Sequence, residues 1–135
     1  MGAAIRQALE LIRHRVPAEI SLSEEGAAGC FVRLSLRDAL RVVFNLVQNA
    51  QHAIDGRGHI AVRVTEEDSE TVLLEVVDDG CGMSPETVTQ AVEPFFTTKA
   101  EGKGTGLGLS AVALVAERSN GRLAIHSELG TGTRV

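Results

Sequence analysis

Residues 35–54, SLRDALRVVFNLVQNAQHAI, carry the longest helical pattern in the chain. At about 100° of rotation per residue, Leu36, Leu40, Val43, Val47, Ala50 and Ile54 fall in one narrow arc, which predicts a core-facing stripe opened by Ser35 or Asp38. Asn45, Asn49 and His52 fall opposite that stripe at spacings of four and three. Two amides and an imidazole therefore share one line of the helix surface. An isolated asparagine pair on a helix is ordinarily a solvated face, so the meaning of this one depends on its neighbours in sequence.

Before that helix, Ile5, Leu9 and Ile12 recur at helical spacing until Pro17 stops the pattern. Residues 18–23 and 30–35 are short alternating stretches around Glu24, Glu25, Gly26 and Gly29, which predicts two strands joined by a turn. After the helix, residues 58–65 and 71–77 are rich in β-branched residues and flank the acidic turn 66–70, as a hairpin requires. Ser84-Pro85-Glu86 is a helix start with Pro at the first helical position. Residues 93–106 lack periodicity and read as a loop; 107–119 read as a helix ended by Asn120 and Gly121, and 122–127 as a strand, with another beginning at Thr131. This order predicts an α+β fold, a two-layer sandwich with helices on a mixed, mostly antiparallel sheet.

With 135 residues, 44% hydrophobic and 23% charged, the chain has the size and composition of one folded domain. Four Phe with no Trp or Tyr leave the core to aliphatic side chains. A net charge of −5 without a basic run argues against nucleic acid as the partner. The two cysteines, Cys30 read as core and Cys81 inside a glycine-rich turn, do not suggest a disulfide, and no apolar run of about 18 residues marks a membrane span. The expected setting is cytoplasmic, with no membrane contact from this domain, although a parent protein could be anchored.

Three further segments carry chemistry. Asp78 ends the apolar strand LLEVVD and is followed by Asp79-Gly80-Cys81-Gly82-Met83. A carboxylate at a strand end is a hydrogen-bond acceptor, and glycines let the backbone come close to a ligand; Asp-Gly alone would read as a turn. GTGLGLS, residues 104–110, passes from loop into helix, where exposed N–H groups bind phosphate oxygens. It fits neither the dinucleotide fingerprint nor the P-loop. Between them lies EPFFTTK, residues 93–99, which holds half of the aromatic residues in a polar setting. His14, His59 and His126 read as structural or exposed, and nothing resembles a zinc site.

Taken in order and spacing, NLVQNAQHA, DDGCGM, EPFFTTK and GTGLGLS resemble the N, G1, F and G2 boxes of the histidine-kinase branch of the GHKL ATPases, the Bergerat fold. The resemblance covers nearly the whole chain. It implies ATP and Mg²⁺ as cofactors, with Asn49 as the metal ligand, Asn45 supporting metal and phosphates, and His52 near the phosphates. Asp78, Gly80, Gly82 and Met83 would form the adenine side. Phe95, Thr98, Lys99, Lys103, Gly104, Thr105, Gly106, Leu107 and Gly108 would form the lid and phosphate side, with Lys99 and Lys103 as its cations. Phe95 and Phe96 would pin the lid or meet the partner domain.

Gyrase, chaperone and mismatch-repair relatives carry Glu where Asn45 stands, a carboxylate that can polarise water. An amide cannot take a proton, so Asn45 points to a kinase that awaits an external acceptor. The implied activity is transfer of the γ-phosphate to a histidine on a separate dimerisation domain, with a response regulator as an indirect partner. The lid and GTGLGLS look most like the nitrogen-regulation and sporulation class. An anti-sigma-factor-type serine kinase is the alternative within the fold, and a degenerate nucleotide-binding docking module the alternative outside it. Both ends look trimmed against the family pattern, residues 1–135 holding one ATP-binding domain and no phosphoacceptor histidine.

Overall fold

The helical and alternating segments fold, in a computed structural model that describes residues 3–26, 33–99 and 104–135, into α1 (Ala3–Arg13), β1 (Ile20–Gly26), α2 (Leu36–Ala53), β2 (Gly58–Glu66), β3 (Val72–Asp78), α3 (Pro85–Gln90), α4 (Gly108–Arg118), β4 (His126–Glu128) and β5 (Gly132–Arg134). The strands form one sheet in the order β1-β2-β3-β5-β4. β1 runs parallel to β2 and the other neighbours are antiparallel, so the sheet is mixed, as expected. Pairing continues past β5, where Val135 and Val76 exchange both backbone hydrogen bonds at 2.9 and 3.0 Å.

Helix boundaries follow local chemistry. The Ser35 hydroxyl accepts the Asp38 N–H at 3.1 Å and opens α2; Ser84 accepts from Thr87 N–H at 3.2 Å, ahead of Pro85, and opens α3. α4 closes with Asn120 at φ 57°, the Asn120 and Gly121 N–H groups donating to the Glu117 and Ala116 carbonyls. That is a Schellman end in which asparagine takes the left-handed position.

The helices cover one face of the sheet. Ile5, Leu9, Val43, Val47, Ile60, Val62 and Val64 are the largest fully buried side chains, joining α1, α2 and β2 in one aliphatic core. On the other face, cross-strand partners Glu25 and Arg63 form an ion pair at 2.9 Å, and Glu75 meets Arg134 at 3.7 Å. Such exposed pairs contribute at most about 1 kcal/mol each and keep that face wet.

Three sequence expectations need correction, and one, Cys30, cannot be compared. Among the described residues the 18–23/30–35 hairpin is not found: residues 33–35 are irregular, residues 30–32 lie outside the described residues, and β1 pairs with β2. The strand expected over 122–127 is confined to His126–Glu128. Cys30 lies outside the described residues. Finally, the buried face of α2 is Ala39, Val42, Val43, Leu46, Val47 and Ala50, while Leu36 is 41% exposed. This helix packs against α1, α4, β2 and β3 at once, so its apolar face is wider and rotated from the narrow stripe. Asn45 and Asn49 thereby border the core instead of standing opposite it.

Candidate functional site

The rotation of α2 turns its polar edge toward a cavity of about 570 Å³. Leu46, Ala50, Val76, Met83, Ala91 and Leu109 supply apolar wall; Asn45, Asn49, His52, Asp78 and Lys99 converge on it from three elements. An apolar recess with few, placed polar groups is the usual form of a small-ligand site. The Asn45 Nδ2 donates to the Arg41 carbonyl at 2.7 Å, which fixes the amide so that Oδ1 faces α4. A Cβ at Gly108, the first residue of α4, would stand 3.2 Å from that oxygen and 3.7 Å from Asn49 Nδ2. Among the described residues no side chain caps α4, and Thr105 Oγ1 takes only the Leu107 N–H, at 3.3 Å, so the N–H groups of the first turn stand beside the two amides without a competing side-chain acceptor.

At the other end of the cavity Asp78 is 9% exposed. Burial pushes its carboxyl above the ordinary aspartate value, opposed by the N–H groups of Gly80 and Thr133. The Gly80 N–H donates to Asp78 Oδ1 at 2.9 Å, and the neighbouring Asp79 carboxylate accepts the His59 N–H at 2.8 Å, which ties the loop back to β2. The loop then passes against the β4–β5 hairpin. Gly82, at φ 68°, leaves no room for a side chain, because a Cβ would lie 1.9 Å from the Glu128 carbonyl oxygen. The Cys81 carbonyl accepts from Gly130 N–H at 2.8 Å and the Met83 N–H donates to Ser127 Oγ at 2.8 Å.

The third wall is the loop before α4. Gly106, at φ 68°, brings its carbonyl to the Phe95 N–H at 2.9 Å, so the two ends of the loop are clasped. Lys99 Nζ lies 2.7 Å from His52 Nδ1. Partial burial lowers the Lys99 pKa; burial first, and then the Lys99 charge, lowers that of His52.

Of the residues singled out in the sequence, Asn45, Asn49, His52, Asp78, Gly82, Met83, Thr98, Lys99, Gly104, Thr105, Gly106 and Gly108 line this one cavity. Three do not. Gly80 packs its α-carbon against the end of α2, where a Cβ would come 2.5 Å from the Ala53 carbonyl. Phe95 is 75% exposed at φ 67°, and it is Phe96 that lines the cavity. Leu107 is 40% exposed and accepts the Ala111 N–H as the cap of α4. Lys103 lies outside the described residues. Thr133, buried beside Asp78, is not among the residues the sequence singles out, because only the pairing of β3 with β5 brings it to Asp78. His14, His59 and His126 are exposed, as expected, and His59 bridges Ser21 at 2.7 Å and Ser23 at 3.0 Å on the open sheet face.

Comparison with known proteins identifies the family and the fold. Residues 34–135 match the family of histidine kinase-, DNA gyrase B- and HSP90-like ATPases. The chain is 39% identical over 92 residues to the sensor histidine kinase ZraS of Salmonella typhimurium, covering 68% of this chain and 19% of that protein. It is 36% identical over 93 residues to sporulation kinase E of Bacillus subtilis, covering 69% of this chain and 12% of that one. The mycobacterial sensor histidine kinase MprB superimposes with a TM-score of 0.83 at 26% identity, over 97% of this chain and 87% of that one. The chain thus spans less than a fifth of these two kinases' own sequences. No helix among the described residues is long and apolar enough to cross a membrane. The chain belongs to the histidine kinase-, DNA gyrase B- and HSP90-like ATPase family, as an ATP-binding domain of the histidine-kinase kind.

Proposed function

We propose that the cavity holds ATP with its adenine against Asp78 and its phosphates between Lys99, the start of α4 and the Asn45–Asn49 edge, and that the domain donates the γ-phosphate to a histidine on a separate dimerisation domain. The observation that carries this reading is the placement of two amides beside the first turn of α4, with Lys99 facing the same cavity. Donors and a cation stand where a polyphosphate needs them, and position 45 offers no carboxylate to activate water.

The donor set also fits Mg²⁺ of the shared kind. Among the described residues no group of three His, Cys, Asp or Glu could hold a metal ion. The neutral oxygens of Asn49 and Asn45 suit a hard cation that takes most of its ligands from phosphate and water. When bound, Mg²⁺ neutralises phosphate charge; the chain's part is to orient the phosphates through the α4 N–H groups and Lys99 and to keep water without a base. A response regulator enters only downstream of the acceptor histidine.

Calorimetric titration of ADP, with and without Mg²⁺, against wild type and Asn49→Ala tests the site. Magnesium-dependent binding weakened by the substitution supports it; no binding by folded protein favours a docking module. Transfer of label from ATP to an added dimerisation domain, lost when its histidine is replaced, tests the reaction. Label reaching only a serine on an added protein would move the domain to the serine kinases.

A further inference from the structure

Ser127 stands behind the adenine end of the cavity. Its half-buried hydroxyl has three partners: the Met83 N–H at 2.8 Å, the Gly132 carbonyl at 3.1 Å and the Thr133 hydroxyl at 2.8 Å. The first can only donate and the second can only accept. All three contacts are hydrogen bonds together only when the single Ser127 proton goes to Gly132, the Met83 N–H fills one lone pair, and the proton on the remaining contact comes from Thr133. That leaves Thr133, which lines the cavity beside Asp78, with lone pairs and no proton to offer a ligand. Asp78, ionised, offers only lone pairs as well, and its backbone partners Gly80 and Thr133 hold it in place.

We propose that Ser127 is a positioning residue for base selection: by directing the Thr133 hydroxyl proton away from the cavity, it makes a pair of acceptors, Asp78 and Thr133, that favours a 6-amino purine and repels a 6-oxo purine. The amine of adenine carries two hydrogens for two acceptors. The carbonyl of hypoxanthine would set a third acceptor against them, and unpaired polar groups in a buried site are costly. Ser127 itself touches no substrate, and its effect passes through Thr133 and Met83. The inference rests on the adenine-nucleotide reading of the cavity.

The test compares ADP with IDP, which differ at the 6-position in this sense, by calorimetric titration. Wild type is expected to prefer ADP, and Ser127→Ala to reduce the ADP-to-IDP affinity ratio about tenfold, the size of one buried hydrogen bond. Thr133→Val should reduce it similarly, and the double variant no further, since both act through the Thr133 hydroxyl, one by releasing its proton toward the cavity and the other by removing it. Should Ser127→Ala fail to fold, as judged by thermal melting, Ser127→Cys keeps the volume with a weak hydrogen-bonding group and should also narrow the ratio. A variant at position 127 that weakens ADP and IDP equally, or leaves the ratio unchanged, would overturn the inference while leaving the adenine site intact. Wild type binding neither nucleotide would instead overturn the proposed function, and the inference with it.

Discussion

Lys99 Nζ lies 2.7 Å from Nδ1 of His52, so the loop before α4 and the last turn of α2 are joined across the cavity by one hydrogen bond. The ammonium has only protons to give, hence Nδ1 accepts and the ring proton sits on Nε2. The lowered pKa of His52 keeps the ring neutral and the bond made at neutral pH. A phosphate entering here gains a cation already aimed into the site.

Lys99→Ala should therefore weaken ATP about tenfold to a hundredfold, the range of a charge-assisted hydrogen bond, and leave adenosine affinity little changed. Titration of both ligands at two salt concentrations checks this. The wild-type preference for ATP over adenosine should fall with salt, and that of the variant should fall less.

Asp78 links binding and stability with opposite signs. Its folded pKa is raised, chiefly by burial, so its contribution to stability is fully present below the unfolded value and is lost as pH rises through the folded value. At neutral pH its buried charge opposes folding, and binding needs that charge. Asp78→Asn should weaken ADP yet melt at or above the wild-type temperature at neutral pH, the difference shrinking toward about pH 4. Melting curves and titrations over that range check both halves.

Both the sandwich and most of the residues that line this cavity are readable from the sequence, because the four motifs are local strings and each places its own side chains. What escaped was set by partners distant in sequence. The buried arc of α2 could not be centred from its own periodicity, since α1, α4 and the sheet all press on it. Thr133 and Ser127 enter only through the β3–β5 and β4–β5 pairings, which no periodicity announces. Phe95 and Phe96 look equivalent as neighbours in a string, but the positive φ at Phe95 sends one ring outward and leaves the other on the cavity.

Three glycines that line the cavity, Gly82, Gly106 and Gly108, make separable predictions. Gly82 and Gly106 have positive φ, and a Cβ at either would press on backbone, at 1.9 Å from Glu128 O and 2.3 Å from Phe95 C. Gly82→Ala and Gly106→Ala should each cost well over about 1 kcal/mol of stability, because the strain of a left-handed alanine adds to a contact that cannot yield. Gly108 is different. It opens α4 with helical geometry, and its Cβ would meet side-chain amides alone, Asn45 Oδ1 at 3.2 Å and Asn49 Nδ2 at 3.7 Å. Gly108→Ala should keep or slightly raise the melting temperature, as alanine favours a helix, while weakening ATP more than adenosine by placing a methyl between Asn45 and the α4 N–H groups. Paired melting and titration decide it: a stable variant with normal ATP affinity would remove the start of α4 from the phosphate site.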